Sequence, residues 1–391
     1  MRILFVHNHY KLEGGEDQVL SYERDLINRH GHITDTFAIT NMQINRFVSK
    51  LKTAFYLKYS HEYKQVLLHH ISGFNPDIIH AHNLFPLLTP SIYDACIESK
   101  IPVVQTLHNY RTICSNALLM RDGHICELCI SGSHYNAVLY RCYRNSMLGS
   151  LAVAKMLSYH RKNKTWKNKV DCFIALTQFA KKKFIQGGFP EKEIMVKPNF
   201  FAHDRAFCEI TNNREGVLFI GRLSHEKGIK TLLNAWKTLD ISLKIAGEGP
   251  LVGMIDITTS SKITLLGQIP PSQVTKEMAK AKFLVMPSEC YEGFPMVLVE
   301  AFAHGLPVIA SNLGGMSEIV KNNITGLHFE PGNPEDLAKK VLWMYAHPDE
   351  CERMGKNARN EYEQKYTPEK NYKMLMDIYQ KTIENYEIRN S

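Results

Sequence analysis

Two glutamates eight positions apart, Glu292 and Glu300, enclose Gly293-Phe294-Pro295 and the apolar run Met296 to Val299. The run Phe283–Met286 before them reads as a buried strand that ends at Pro287. Pro295 suits the first turn of a following helix, where its missing N–H costs nothing. The free N–H groups at such a helix start attract an anion. Glu300, one to two turns deeper on an apolar helix, needs a polar partner. A turn carboxylate, an anion-ready helix end and a deeper carboxylate suit a ligand with sugar hydroxyls at both ends of a diphosphate.

A second constellation lies in Gly221-Arg222-Leu223-Ser224-His225-Glu226-Lys227-Gly228, between the strand Val217–Ile220 and a helix. Arg222 offers a planar fork and Lys227 a point charge, and both chemistries match phosphate oxygens. Gly14-Gly15 stands at another strand-to-helix junction, where backbone can approach a phosphate. His82 and His108 fall at the carboxyl ends of the strands read at Asp77–His80 and Pro102–Leu107. The chain contains no Asp-x-Asp, so no obvious carboxylate pair for a catalytic divalent ion. Cys114, Cys126, Cys129 and Cys142 are spaced C-x(11)-C-x(2)-C-x(12)-C. The close pair can grip one metal, and four thiolates complete a structural zinc site. Two disulfides, or four unrelated thiols, are the alternatives.

Glu-x(7)-Glu inside EGFPMVLVEA, followed by HGLPVIAS, resembles the signature of the retaining GT-B glycosyltransferases of family 4, and the likeness extends over essentially the whole chain. The resemblance implies a GT-B fold, with two Rossmann-like α/β domains facing each other across a cleft. It implies transfer of a hexose from a UDP- or GDP-sugar with retention of configuration and no catalytic metal. Carried onto this sequence, it gives Glu292 the donor sugar, Glu300 the ribose hydroxyls, and Arg222 and Lys227 the departing diphosphate. His108, in TLHNYR, matches the histidine that approaches the donor sugar. Gly14, Gly15, Gly221, Gly293, Phe294, Met296 and Val297 would surround the donor, and Gly267 and Ile269 would border its base. Lys197-Pro198-Asn199 resembles the hinge between domains. The cysteine-rich insert resembles one found in a subset of family 4. A non-catalytic nucleotide-sugar-binding subunit and a nucleotide-sugar epimerase are the rival readings; intact Arg222, Lys227, Glu292, Glu300 and His108 favour transfer.

Strands alternating with helices imply parallel sheets, with ligands at the carboxyl ends of the strands. The first domain is read as residues 1–200 with 366–391, carrying the insert at 109–145, and the second as 201–365. Helices are expected over about 16–29, one or two within 46–70, and over 86–99, 146–160, 334–347, 350–365 and 368–387. The 391 residues are 44% hydrophobic and 22% charged, ordinary for a globular protein. The apolar core of MRILFVHNHY is too short for a signal peptide, and no apolar run reaches membrane-spanning length. A cytoplasmic location follows, which favours thiols or metal ligands over disulfides. Residues 1–200 hold 25 Lys+Arg against 15 Asp+Glu. That excess suits an acidic partner: an anionic membrane surface or a phosphorylated acceptor, rather than nucleic acid. Together with the family's habits it points to a lipid-linked saccharide acceptor in bacterial surface polysaccharide (lipopolysaccharide-type) synthesis. The sharpest candidate for the membrane contact is Arg161, Lys162, Lys164, Lys167 and Lys169 around Trp166, next to an apolar helix.

Overall fold

A computed structural model of the chain describes residues 1–11, 14–43, 53–202, 214–255 and 262–391. They form two compact units: Met1–Leu119 with Glu127–Asn199 and Glu369–Ser391, and Met120–Cys126 with Phe200–Pro368.

The first unit is built on β1 (Arg2–His9), β2 (Ile33–Thr40), β3 (Ile78–Ala81) and β4 (Val103–Leu107). After the short hairpin of β5 (Met120–Arg121) and β6 (His124–Ile125), β7 (Cys172–Ala175) and β8 (Ile194–Val196) complete its sheet. The order is β2-β1-β3-β4-β7-β8, and every pairing is parallel. Covered on both faces, the central strand β1 carries the buried apolar run Ile3-Leu4-Phe5-Val6. One face packs on the final helix, Pro368–Asn390, through Leu375, Ile378 and Tyr379. Each such side chain removed from water contributes about 1.5–3 kcal/mol.

The second unit contains β9 (Val217–Ile220), β10 (Leu243–Ala246), β11 (Ile263–Gly267), β12 (Phe283–Met286), β13 (Val308–Ser311) and β14 (Gly326–Phe329). Its order is β11-β10-β9-β12-β13-β14, again all parallel. Val217 and Phe219 of β9 pack into one core with Trp236, and Leu218 points to the other. In both sheets the strand order reverses once, between β1 and β3 and between β9 and β12. Those reversals are where a crevice opens in such sheets.

The strands Ile33–Thr40, Ile194–Val196 and Gly326–Phe329 carry too little apolar patterning to stand out; the first is an edge strand with one buried residue, Phe37. The helix expected over 86–99 spans only Ile92–Glu98, because Pro90 lacks an N–H and Thr89 takes a left-handed conformation. Helix His61–Phe74 extends beyond the expected His70, and residues 46–52 of that expectation lie outside the described residues. Pro295 stands just before the helix Met296–Ala303 rather than in its first turn.

Gly228 closes the turn after β9 in a left-handed conformation, φ +68°. A Cβ there would stand 1.9 Å from the Pro287 carbonyl oxygen, at the end of β12. The close approach of these two turns therefore depends on the missing side chain. Gly228→Ala is expected to cost more than about 2 kcal/mol, since the conformation and the overlap both oppose it. A shift of the urea midpoint measures this; an unchanged midpoint would contradict the tight approach.

Candidate active site

In the second unit, β9 and β12 are neighbours at the point where the strand order reverses. The β9 turn is fixed from the side of β10, by Gly221 N–H donating to the Ala246 carbonyl at 3.0 Å and Leu223 N–H to that of Glu248 at 2.9 Å. It is tied to the β12 turn by Glu289 N–H donating to the Glu226 carbonyl at 2.9 Å. Across this junction Lys227 Nζ donates to Glu292 Oε1 at 2.7 Å, and the Ser288 hydroxyl donates to the same oxygen at 2.7 Å. The Lys227 side chain is 26% exposed and that of Glu292 13%, so solvent still reaches the pair. Burial alone would lower the Lys227 pKa; the Glu292 carboxylate more than offsets it and raises the net value. Arg222, in the same turn after β9 as Lys227, is exposed.

Gly293, Phe294, Met296 and Val297 are half-buried at the start of the helix that follows Glu292. Glu300 lies on its second turn, and burial pushes its carboxyl up to about 7. No described residue hydrogen-bonds to that carboxyl. Gly267 and Ile269 lie at the end of β11, two strands from β9. The structure thus gathers Arg222, Lys227, Glu292 and the helix start at one strand reversal, with Glu300 one turn deeper.

In the first unit, the reversal between β1 and β3 is lined by histidines. Asp17 accepts from His7 Nε2 at 2.9 Å, His9 Nδ1 at 2.7 Å and Gly14 N–H at 2.7 Å. Burial would raise the Asp17 pKa; these donors hold it down at about 2. The Gly14 N–H expected to face a phosphate is therefore engaged by Asp17. At the ends of β3 and β4, His82 Nδ1 and His108 Nε2 are 2.8 Å apart. Burial first, then the neighbouring His7 and Lys197, lowers His108 to about 3. Behind them Lys197 Nζ donates to Glu23 Oε1 at 2.7 Å and to Asn371 Oδ1 at 3.2 Å, with Lys197 and Glu23 both fully buried. His80 bridges Tyr379 Oη at 2.6 Å and Thr106 Oγ1 at 2.8 Å. His108 lines a pocket with Glu16, His82, Asn109 and Arg111. Burial lifts the Glu16 carboxyl to about 8.

His7, His9, Asp17, Glu23 and Lys197 were not legible as site residues. Two histidines on alternate positions at a strand end are a usable signal, since both side chains then lie on one face. Glu23 offers none: a glutamate within a polar helix reads as solvated surface. Lys197 reads as part of a hinge motif, and its burial shows only in the fold.

The basic cluster needs a correction. Trp166 is not at the surface; it is buried, stacked on Phe189 with ring centroids 5.5 Å apart. Lys169 pairs with Asp94, and Arg161 donates to the carbonyls of Cys129, Ile130 and Gly132, closing the one-turn helix Leu128–Ser131. Lys162, Lys164 and Lys167 are exposed. None of the eight described cysteines is in a disulfide; Cys208 lies outside the described residues. Among the described residues, potential metal ligands converge at His7/His9/Asp17 and at Glu23/His80/His82. Cys114, Cys129 and Cys142 form no such group, and the Cys114 thiol lies 2.9 Å from Asn116 Oδ1. No described helix is long and apolar enough to cross a membrane.

Family comparison decides what this arrangement belongs to. The model for glycosyl transferases group 1 matches residues 201–361, and that for glycosyltransferase family 4 matches residues 28–205. The chain belongs to the GT-B glycosyltransferases. Over 167 residues it is 36% identical to an uncharacterized glycosyltransferase, MJ1178, of Methanocaldococcus jannaschii, covering 42% of this chain and 47% of that protein. Over 156 residues it is 30% identical to the D-rhamnosyltransferase WbpZ of Pseudomonas aeruginosa, covering 38% of this chain and 41% of that one. The chain thus spans less than half the length of these two relatives. Anabaena HepE, solved in complex with UDP, superposes with a TM-score of 0.69 at 18% identity, over 97% of this chain and 100% of HepE.

The buried Lys197–Glu23 pair of this glycosyltransferase gives a direct test of how its first unit is held. Removing one partner of a buried ion pair costs about 3–5 kcal/mol, whereas replacing both with apolar groups is often nearly neutral. Lys197→Met is therefore expected to lower stability by about that amount, and adding Glu23→Leu to recover most of it. Chemical denaturation of both variants checks this; additive losses would contradict the pairing.

Proposed function

We propose that the protein transfers a hexose from a nucleotide-diphosphate sugar to a saccharide acceptor, with retention of configuration and without a catalytic metal. The observation that carries this reading is the Lys227–Glu292 pair at the reversal between β9 and β12, with Arg222 exposed beside it. A diphosphate entering there meets one exposed guanidinium and one ammonium whose ion-pair partner, among the described residues, is a solvent-accessible carboxylate. The ligand's charge takes over Lys227, and Glu292 is released to accept hydroxyls of the sugar. Glu300, whose carboxyl takes no hydrogen bond among the described residues, accepts the ribose hydroxyls. Gly221, Gly293, Phe294, Met296 and Val297 pack around the donor, and Gly267 and Ile269 border its base. HepE was solved with UDP and with UDP-glucose, which supports a nucleotide-sugar donor here, UDP- or GDP-linked.

Charge leaving with the diphosphate is stabilised by Arg222, Lys227 and the N-terminus of helix Met296–Ala303, which are in place before reaction. The departing phosphate takes the acceptor proton, and in the first unit His108 offers its pocket face to a sugar hydroxyl. Lys227→Ala and Arg222→Ala should each leave folding intact. Each should lower turnover roughly 10- to 100-fold, the equivalent of a charge-assisted bond of about 1.5–3 kcal/mol. Nucleotide release from UDP- and GDP-sugars, with and without acceptor, measures it; near-normal turnover in Lys227→Ala would sink the assignment.

A lipid-linked acceptor of a bacterial surface polysaccharide fits the first unit. From Leu128 to Val170 the chain has eight basic residues and no acidic one, with Leu139, Met147 and Leu148 exposed among them. Such a surface binds anionic lipid, weakening with salt. Flotation with anionic liposomes at low salt should carry the protein, and Lys162, Lys164 and Lys167 changed together to Gln should release it; no flotation of the native chain returns the surface to solvent. The structural zinc rests on cysteine spacing alone, since the described thiols do not converge. About one zinc per chain by elemental analysis, lost in Cys129→Ser, supports it, and metal-free active protein removes it.

A further inference from the structure

The buried network of the first unit contains two atoms that face each other unsatisfied. Glu23 Oε2 and His82 Nε2 are buried, neither has a hydrogen bond among the described residues, and they lie 3.6 Å apart. The other oxygen of Glu23 is held by Lys197 at 2.7 Å, and both residues are fully buried. The other nitrogen of His82 is 2.8 Å from Nε2 of His108. Three side chains therefore stand in line from a fixed negative charge to a histidine that lines the pocket.

A neutral imidazole has one N–H and one lone pair. If His82 carried its proton on Nδ1, its Nε2 lone pair would be turned on the Glu23 carboxylate, with both atoms buried. The proton therefore sits on Nε2, directed at Glu23. His82 Nδ1 is then an acceptor, and the 2.8 Å contact requires the proton of His108 on Nε2. His108 Nδ1 is left with a bare lone pair, and no described residue donates to it. We propose that Glu23 sets the tautomer of His108 through His82, so that His108 meets its ligand as a hydrogen-bond acceptor at Nδ1. Both rings stay neutral near pH 7: burial, then neighbouring histidines and Lys197, lowers both.

The consequence is selectivity by hydrogen-bond sense. An acceptor takes a hydroxyl and turns away a phosphate or carboxylate oxygen. That the hydroxyl belongs to the sugar rests on the glycosyltransferase reading above; the tautomer does not. Glu23 and His82 are positioning residues in this scheme, since both act through the ring of His108.

Long-range proton–nitrogen correlation spectra of the full chain, labelled with 15N-histidine, read the tautomer of each ring without any donor present. Rings are assigned by loss of signals in His108→Gln and His82→Gln. Native protein at neutral pH should show both rings protonated on Nε2 only; a proton on Nδ1 of His108 overturns the proposal. In the folded double variant Glu23→Leu/Lys197→Met, the single tautomer should give way to a mixture, and its persistence would show that Glu23 is not the cause. Should that variant fail to fold, the native spectrum alone still decides the tautomer. Failure of sugar transfer in a separate nucleotide-release assay would leave this result untouched, so the two readings fail separately.

Discussion

Two parallel strands can be joined only by a crossover, so every loop that follows a strand emerges on the same edge of the sheet. Where successive crossovers switch direction, two adjacent loops part and leave backbone and side chains exposed at a crevice. Both units of this chain obey that constraint, and both place their polar residues at that point. β9 and β12 present Arg222, Lys227 and Glu292; β1, β3 and β4 present His7, His9, His82 and His108. The apolar strands beneath are buried on both faces and leave those residues no other place to lie.

Each unit holds a lysine–glutamate pair, and burial separates their roles. Lys197–Glu23 is withdrawn from solvent and fixed by Asn371 from the final helix. Its cost of desolvation is offset only while both partners and their hydrogen bonds are present, so it behaves as a fixed charge. Lys227–Glu292 has the same 2.7 Å separation but remains open to water. A charged ligand can exchange into it. One pair is thus suited to organise neighbouring histidines and the other to be displaced.

Much of the second unit was legible because its chemistry and its fold share the same few residues. The Gly-bounded turn from Gly221 to Gly228, the apolar strand Phe283–Met286 and the glutamates at 292 and 300 are local signals, and each reports a backbone need as well as a charge. Gly228 is the clearest case, since only the fold shows that Pro287 lies against it. The first unit was less legible because its polar network is assembled from Glu23, His82, Lys197 and Asn371, which are far apart in the chain and individually ordinary. Burial, not residue type, makes them significant, and burial of a single Lys or Glu has no sequence pattern. Trp166 shows the same limit in reverse: beside lysines it resembles an interfacial residue, yet aromatic packing against Phe189 takes it into the core.

Titration calorimetry with UDP and GDP tests the central claim, that a diphosphate is bound by displacing Glu292 from Lys227. Native protein should bind one of the two diphosphates, and Lys227→Met should weaken it at least tenfold, about 1.4 kcal/mol, without altering affinity for the corresponding nucleoside. Equal diphosphate affinity in native protein and Lys227→Met would contradict the account.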